Sequence, residues 1–264
     1  VGTFQYAAGR QDTTLLETLV DYTLKRHYPD RAGAEVPALA LLEGVMDRQI
    51  ALITEWMRVG FIHGVMNTDN VALSGETIDY GPCAFMDRYH PETVFSSIDQ
   101  RGRYAYGNQP VITQWNLARF AETLIPLIDD DADRAVETAE ALIKSHTERY
   151  AQRWLVMMRG KLGLFGEEDG DAALAADLLD WMARHDADHT NTFRDLIGGA
   201  MSPGESFEND EFGDWHRRWQ ARLGRNGKAE EDAWALMGRH NPAVIPRNHQ
   251  VEAALSAAVR DGDM

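Results

Sequence analysis

Asn70 and Asp79 pair an amide oxygen with a carboxylate in a pattern suited to a shared hard cation. Asn70 closes a run of turn formers, Asn67-Thr68-Asp69-Asn70. After it, Val71–Leu73 and Thr77–Asp79 read as two short strands joined by Ser74-Gly75-Glu76, a hairpin loop containing glycine. A hairpin folds its ends together, so Asn70 and Asp79 are expected to face each other across its open end, with Cα atoms about 4.5–5.5 Å apart. Magnesium suits such a pair: it takes oxygen ligands, keeps waters and fills its shell with phosphate oxygens. Asp69, beside Asn70, could orient a metal-bound water or take the proton of an incoming hydroxyl. The same spacing also fits a turn in which Asn and Asp serve only local hydrogen bonds.

The elements around this loop read as helices. Thr14 and Glu17 fit a capping box for a helix over Thr14–His27, which Pro29 stops. Pro37 suits the first position of a longer helix, Pro37–Val59, in which Leu42, Val45, Met46, Ile50, Ile53 and Met57 recur at helical spacing. Gly60 ends it, and Phe61–Pro82 is too short and broken for helix. Beyond Pro110 the periodicity predicts helices over Thr113–Ile128, Asp131–Gly160, Asp169–His185, Thr190–Ile197, Phe212–Leu223, Ala229–Gly238 and His249–Val259. The sum is a mainly α chain with one small β-hairpin at the metal site.

A long helix, His63-Gly64, a loop ending in Asn70, a short hairpin and Asp79-Tyr80-Gly81 follow one another in the order found in the C-terminal lobe of kinases. The match departs at Val65. Small-molecule kinases carry an Asp there, and an aliphatic side chain cannot accept a hydroxyl proton. Asp69 is the replacement carboxylate. His63 is expected to brace the loop by a hydrogen bond and not to transfer protons.

His63-Gly-Val-Met-Asn-Thr-Asp-Asn70 followed by Thr77-Ile-Asp-Tyr-Gly-Pro82 resembles the signature of the SelO family (selenoprotein O, or YdiU), kinase-fold protein AMP-transferases. The resemblance runs along the chain. It takes in Gly2-Thr-Phe-Gln-Tyr6, Gln100-Arg-Gly-Arg-Tyr-Ala-Tyr106, Asn108-Gln-Pro110 and Trp115-Asn-Leu-Ala-Arg119. Met158-Arg-Gly-Lys-Leu-Gly-Leu164, His189-Thr-Asn-Thr-Phe-Arg-Asp-Leu196, Asn241-Pro and Arg247-Asn-His249 are similar to its distal helical part.

That resemblance implies transfer of AMP from ATP to Ser, Thr or Tyr hydroxyls of protein substrates, with ATP bound inverted relative to kinases. It implies Asp69 as catalytic base and Asn70 and Asp79 as ligands of Mg2+ (or Mn2+). It further implies a protein-kinase-like C-terminal lobe core over residues 1–128, a family-specific helical extension over 129–264, and an absent N-terminal lobe. The family's ATP-pairing Lys and Glu and its phosphate-holding Arg residues have no counterpart here, so the chain is expected to be an inactive piece of a cytoplasmic, bacterial enzyme. An ordinary kinase-fold phosphotransferase and a non-catalytic pseudokinase scaffold are the alternatives.

Composition bounds the partners. With 264 residues, 44% apolar content and 26% charge, the chain can bury a full core. A formal charge of -16 disfavours nucleic acid as a partner. Its acidic residues gather in Asp129–Asp133, Glu167–Asp171, Glu205–Asp214 and Glu230–Asp232, which read as solvated loops and helix starts. No apolar run approaches the about 20 residues that cross a bilayer. The single cysteine, Cys83, fits a reducing compartment and reads as a half-buried residue without an activating cation. His185 and His189 have helical metal-ligand spacing but read as a surface turn. The tryptophans read as packing residues on helix faces, with base stacking disfavoured by acidic surroundings.

Overall fold

The computed structural model describes residues 1–199 and 210–262. Its order is α1 (Gly2–Ala8), α2 (Thr13–His27), α3 (Pro37–Val59), β1 (Phe61–Ile62), β2 (Ala84–Phe85), α4 (Gln109–Leu124) and α5 (Ala132–Lys161). There follow α6 (Asp171–Arg184), α7 (His189–Asp195), α8 (Asp210–Leu223), α9 (Glu230–His240) and α10 (Asn248–Asp261). Among the described residues the chain is mainly helical, as the periodicity predicts, with one small antiparallel sheet.

The axis of the fold is α3, which packs against α2, α4 and α5. Its buried stripe includes Leu41, Leu42, Val45, Met46, Ile50, Ile53, Trp56 and Met57, a spacing that puts them on a broad face turned to the core. Pro37 starts it, and Gly60 ends it in the left-handed conformation (φ 74°), its N–H donating to the Trp56 carbonyl. A Cβ at Gly60 would also sit 2.9 Å from His189 Nδ1, so both backbone and space demand glycine. This cap turns the chain straight into β1.

Two apolar clusters lie along α3 and α5. One joins the first half of α3 to α1, α2, α4 and the start of α5. The other joins the end of α3 to the small sheet, the end of α5 and helices α6 to α9. Trp181, Trp215 and Trp219 fill the second cluster, and the last two satisfy their indole N–H groups on the Leu174 and Leu162 carbonyls at 2.8 and 2.9 Å. Trp115 does not join them and stays 40% exposed on α4.

Several sequence expectations change. The predicted strands Val71–Leu73 and Thr77–Asp79 do not form; the sheet pairs Phe61 with Phe85 and Ile62 with Ala84, so it brackets the loop instead of lying inside it. The cap of α2 is Asp12, which accepts from the Leu15 N–H at 3.0 Å, and not Thr14. α1 is absent from the periodicity reading because a single turn or two shows too little pattern; Phe4 anchors it edge-on to Phe120 at 5.0 Å.

The acidic runs also divide. Asp131 caps α5, and Glu230–Asp232 fill the first turn of α9. Asp171, however, is 1% exposed and ion-paired to Arg159 and Arg222, each at 2.7 Å. Burial alone would raise its pKa; the bonds from Arg222, the Glu168 N–H and Arg159 outweigh it and hold the carboxyl below the usual range. Residues 205–209 of the run Glu205–Asp214 lie outside the described residues. His189 is no surface residue either: it is buried, stacked on Tyr89 and wedged beneath Gly60, while His185 lies half-exposed near Glu211.

Candidate metal and acid–base site

The loop between β1 and β2 carries all three candidate residues, and its β1 end is fixed by α4. Gln109, at the first position of α4, is fully buried. Its amide nitrogen donates to the Phe61 carbonyl at 3.0 Å, and its oxygen accepts the His63 N–H at 3.0 Å. One side chain thus completes the ladder a third strand would supply. Tyr106 adds a bond from its hydroxyl to the Met57 carbonyl at 2.7 Å.

Residues 71–78 are held by α3 and α2 in place of a hairpin partner. Gln49 donates to the Ala72 carbonyl at 2.6 Å, Arg48 to the Ser74 carbonyl at 3.1 Å, and the Tyr28 hydroxyl to the Leu73 carbonyl. The Trp56 indole donates to the Thr77 hydroxyl at 2.9 Å. With three consecutive carbonyls taken by side chains, no cross-strand ladder is needed to satisfy this backbone. Gly75 closes the turn, donating to the Ala72 carbonyl at 3.1 Å. Its φ of 76° and the 2.6 Å approach of its missing Cβ to Arg48 exclude any larger residue.

His63 sits at the centre of this framework, buried and tilted against Trp56 at 5.3 Å. Its Nε2 donates to the Ile78 carbonyl at 2.8 Å, and its Nδ1 accepts the Val65 N–H at 3.4 Å. A carbonyl can only accept, so Nε2 carries the proton and Nδ1 is bare. Both nitrogens are therefore spent on backbone, and His63 is a brace.

Asp69 and Asn70 lie in a single 3₁₀ turn, Thr68–Asn70, with the Asn70 N–H donating to the Asn67 carbonyl at 3.0 Å. The Asp69 carboxylate is exposed, and a Cβ at Gly2 would come within 3.2 Å of the Asp69 Cα, so α1 backs the turn closely. Asn70 is half-buried, and its amide nitrogen donates to the Val65 carbonyl at 3.0 Å. That bond fixes the amide's orientation and leaves its oxygen as the atom available to a cation. Asp79 is exposed and adopts φ 58°, a conformation Asp tolerates better than most residues.

Asn70 and Asp79 are thus not opposed strand residues, as the hairpin reading had them. They are tied to the same three-residue strut: Asn70 through Val65, and Asp79 through its neighbour Ile78 on His63. Gly64 makes that strut possible. Its φ is 85°, and a Cβ there would meet Pro82 Cγ at 2.9 Å. Cys83, on the far side of Pro82, is half-buried, and its thiol pKa is pushed up by burial and by the Asp79 carboxylate.

Among the described residues, no three His, Cys, Asp or Glu side chains converge as a self-sufficient metal site. The loop offers one amide oxygen and one carboxylate, and that donor set fits magnesium better than zinc. Magnesium takes few protein oxygens and completes its octahedron with water and phosphate, whereas zinc is held by three or four nitrogen or sulfur donors. The residues missed from sequence were the supports: Gln49, Gln109 and Trp56. Gln49 carried a signal, being a polar residue within the apolar stripe of α3.

No helix among the described residues is long and apolar enough to cross a membrane. Comparison with known proteins matches the whole chain, residues 1–264, to the family model described as protein adenylyltransferase SelO. The chain is 64% identical over 264 residues to a protein nucleotidyltransferase YdiU of Alcanivorax borkumensis, covering 100% of this chain and 54% of that protein. It is 58% identical over 264 residues to the YdiU nucleotidyltransferase of Halalkalibacterium halodurans, covering 54% of it. A third, from Nitrosococcus oceani, is 55% identical over 263 residues and covered to 53%. The chain therefore spans about half the length of the curated relatives it matches.

Proposed function

Because the chain belongs to the SelO family, we propose that the protein containing it transfers AMP from ATP to Ser, Thr or Tyr hydroxyls of other proteins, with Asp69, Asn70 and Asp79 at the reaction centre. In this reading Asp69 is the catalytic base. Its exposed carboxylate accepts the proton of the acceptor hydroxyl as that oxygen attacks the α-phosphorus, and pyrophosphate leaves. Asn70, through its free amide oxygen, and Asp79 hold Mg2+ or Mn2+. The cation, when bound, neutralises phosphate charge and orients the nucleotide. Val65 has no proton-accepting atom where a kinase carries its Asp, which favours attack at the α- and not the γ-phosphorus.

The observation that carries this reading is the Asn70–Val65 bond. It orients the Asn70 amide oxygen next in sequence to the exposed Asp69 carboxylate, on a loop backed by buried packing, and this supports a donor arranged before any ligand arrives. The reading includes a kinase-like C-terminal lobe core over residues 1–128 with a helical extension over 129–264, and a bacterial cytoplasmic setting. A chain of charge -16 is a poor partner for nucleic acid, and a cation escorting the nucleotide offsets that charge locally.

The test uses the full-length natural protein with ATP labelled at either the α- or the γ-phosphate. Label should enter protein hydroxyls from α-labelled ATP only. Asp69→Ala should lower the turnover by about 100-fold or more with the metal requirement unchanged, whereas Asp79→Ala should raise the Mg2+ or Mn2+ concentration needed. Entry of γ-label alone would overturn the reading.

A further inference from the structure

Next to the candidate site, Arg103 and Arg119 share one exposed aromatic ring. The Arg103 guanidinium lies 4.6 Å from the centre of the Trp115 ring and 5.7 Å from that of Tyr104. Arg119 approaches the same indole at 5.5 Å from α4. Trp115 remains 40% exposed, whereas Trp56, Trp181, Trp215 and Trp219 are buried. The shared indole orients each arginine without consuming all its donors.

The neighbouring carboxylates leave room for a ligand. Both Asp99 oxygens are occupied by backbone, accepting the Arg103 and Tyr104 N–H groups at 2.9 and 2.7 Å. Glu122 pairs with one Arg119 nitrogen, at 2.5 Å. Among the described residues no carboxylate lies within ion-pair distance of the Arg103 guanidinium; Arg119 Nε is sealed from water and is not a contact for a ligand, so Arg103 is the open member of the pair. A planar guanidinium stacked on an indole presents its edge outward, the arrangement that takes a carboxylate through two parallel bonds.

The cluster is joined to the site. The Tyr104 hydroxyl donates to Asn67 Oδ1 at 2.7 Å, and Asn67 opens the turn that carries Asp69 and Asn70. Consecutive Cα atoms are about 3.8 Å apart, so the Asn67 and Asp69 Cα atoms are within about 7.6 Å of each other. An extended peptide covers about 3.3 Å per residue, so a carboxylate a few residues from a hydroxyl could reach the arginines while that hydroxyl faces Asp69.

We propose that Arg103, Arg119 and Trp115 dock an acidic segment of the acceptor protein beside its target hydroxyl; this rests on the AMP-transfer reading of the Asp69 site. The acceptor is a protein because the patch abuts the residue that, on the AMP-transfer reading, takes the proton of a protein hydroxyl. Trp115 supplies a flat apolar floor for the peptide, and the arginines select its sign.

The experiment uses the full-length natural protein and fluorescent serine peptides flanked by either aspartates or lysines. Fluorescence anisotropy reports binding without chemistry. The acidic peptide should bind about tenfold tighter than the basic one, and Arg103→Glu should remove or reverse that preference while ATP affinity stays unchanged. Arg103 is exposed, so the substitution leaves the core intact; Trp115→Ala should weaken both peptides. Equal binding of the two peptides, or an Arg103→Glu effect confined to ATP, overturns the docking site. AMP transfer is scored separately. Charge-selective binding that Arg103→Glu abolishes supports the docking site even where no AMP moves, and that outcome counts against the AMP-transfer reading alone. Transfer that proceeds with the same KM for both peptides sinks the docking site alone.

Discussion

His63 donates from Nε2 to the Ile78 carbonyl at 2.8 Å, and that single bond fixes the residue immediately before Asp79. With Nδ1 accepting the Val65 N–H, the imidazole ties together the two segments that carry the candidate cation ligands. His63 acts by position. On the AMP-transfer reading, His63→Leu in the full-length protein should therefore cut transfer strongly; it should also lower stability by about 1–3 kcal/mol, since it removes the partner of the half-buried Ile78 carbonyl and the ring packed on Trp56. His63→Gln retains an amide N–H that can reach Ile78 and should recover part of both losses. Measuring transfer against pH separates brace from proton carrier: loss of a limb near neutrality in His63→Gln would show that His63 moves protons after all.

Gly64 holds its place for steric and conformational reasons together. At φ 85° an alanine is strained, and its methyl would lie 2.9 Å from Pro82 Cγ and 3.1 Å from the Pro82 carbonyl oxygen. Gly64→Ala should cost about 1–3 kcal/mol and shift the Val65 anchor of Asn70. Chemical denaturation gives the first quantity. On the AMP-transfer reading, the second should appear as a higher divalent-cation requirement of the full-length protein, and an unchanged requirement would count against Val65 setting Asn70 as a ligand.

The helices were legible because long amphipathic runs announce themselves: Pro37–Val59 is read correctly from its proline, its stripe and Gly60. The hairpin was not. Val71-Ala72-Leu73 and Thr77-Ile78 have strand-like composition, but the Ala72, Leu73 and Ile78 carbonyls are claimed by Gln49, Tyr28 and His63, and the Ser74 carbonyl between them by Arg48. Local β preference is weak where tertiary partners satisfy the backbone first. The family signature marked Asp69, Asn70 and Asp79, but it could not show that they are joined through His63 and Val65. His189 was misread for a related reason: its acidic neighbours suggest a surface turn, while its ring fills the space under Gly60.

Gln109 is a strand substitute, and its loss should be felt at both ends of the sheet. Gln109→Leu keeps the volume but leaves the Phe61 carbonyl and the His63 N–H without partners in a buried place. Each orphaned group costs about 1–3 kcal/mol, so destabilisation of about 2–6 kcal/mol is expected in a urea titration. Gln109→Glu should be worse, because a buried carboxylate cannot donate to the Phe61 carbonyl. A change below about 0.5 kcal/mol for Gln109→Leu would mean that β1 and β2 need no third partner.

Acid should destabilise the protein through buried imidazoles before its carboxylates are titrated. His146 is 2% exposed on α5, lies flat on Tyr150 at 6.4 Å, and has no partner for Nε2 among the described residues. Burial pushes its pKa down to about 4. His189 is pushed well below the ordinary value by burial and then by the Lys161 ammonium, and His216 is lowered by burial. The folded protein thus keeps these rings neutral, whereas the unfolded chain binds protons below about pH 6.5. The stability conferred by neutrality is fully present above about pH 6.5 and is lost as pH falls toward 4. For His146 alone the loss is up to about 3 kcal/mol. The carboxyls of Glu43 and Asp171, both held below the usual range, add their share only at lower pH. Urea midpoints measured from pH 7 to 4.5 should fall steeply in the natural protein and more gently in His146→Leu, even though that variant differs in stability at pH 7. Identical slopes for the two proteins would remove His146 from the acid response.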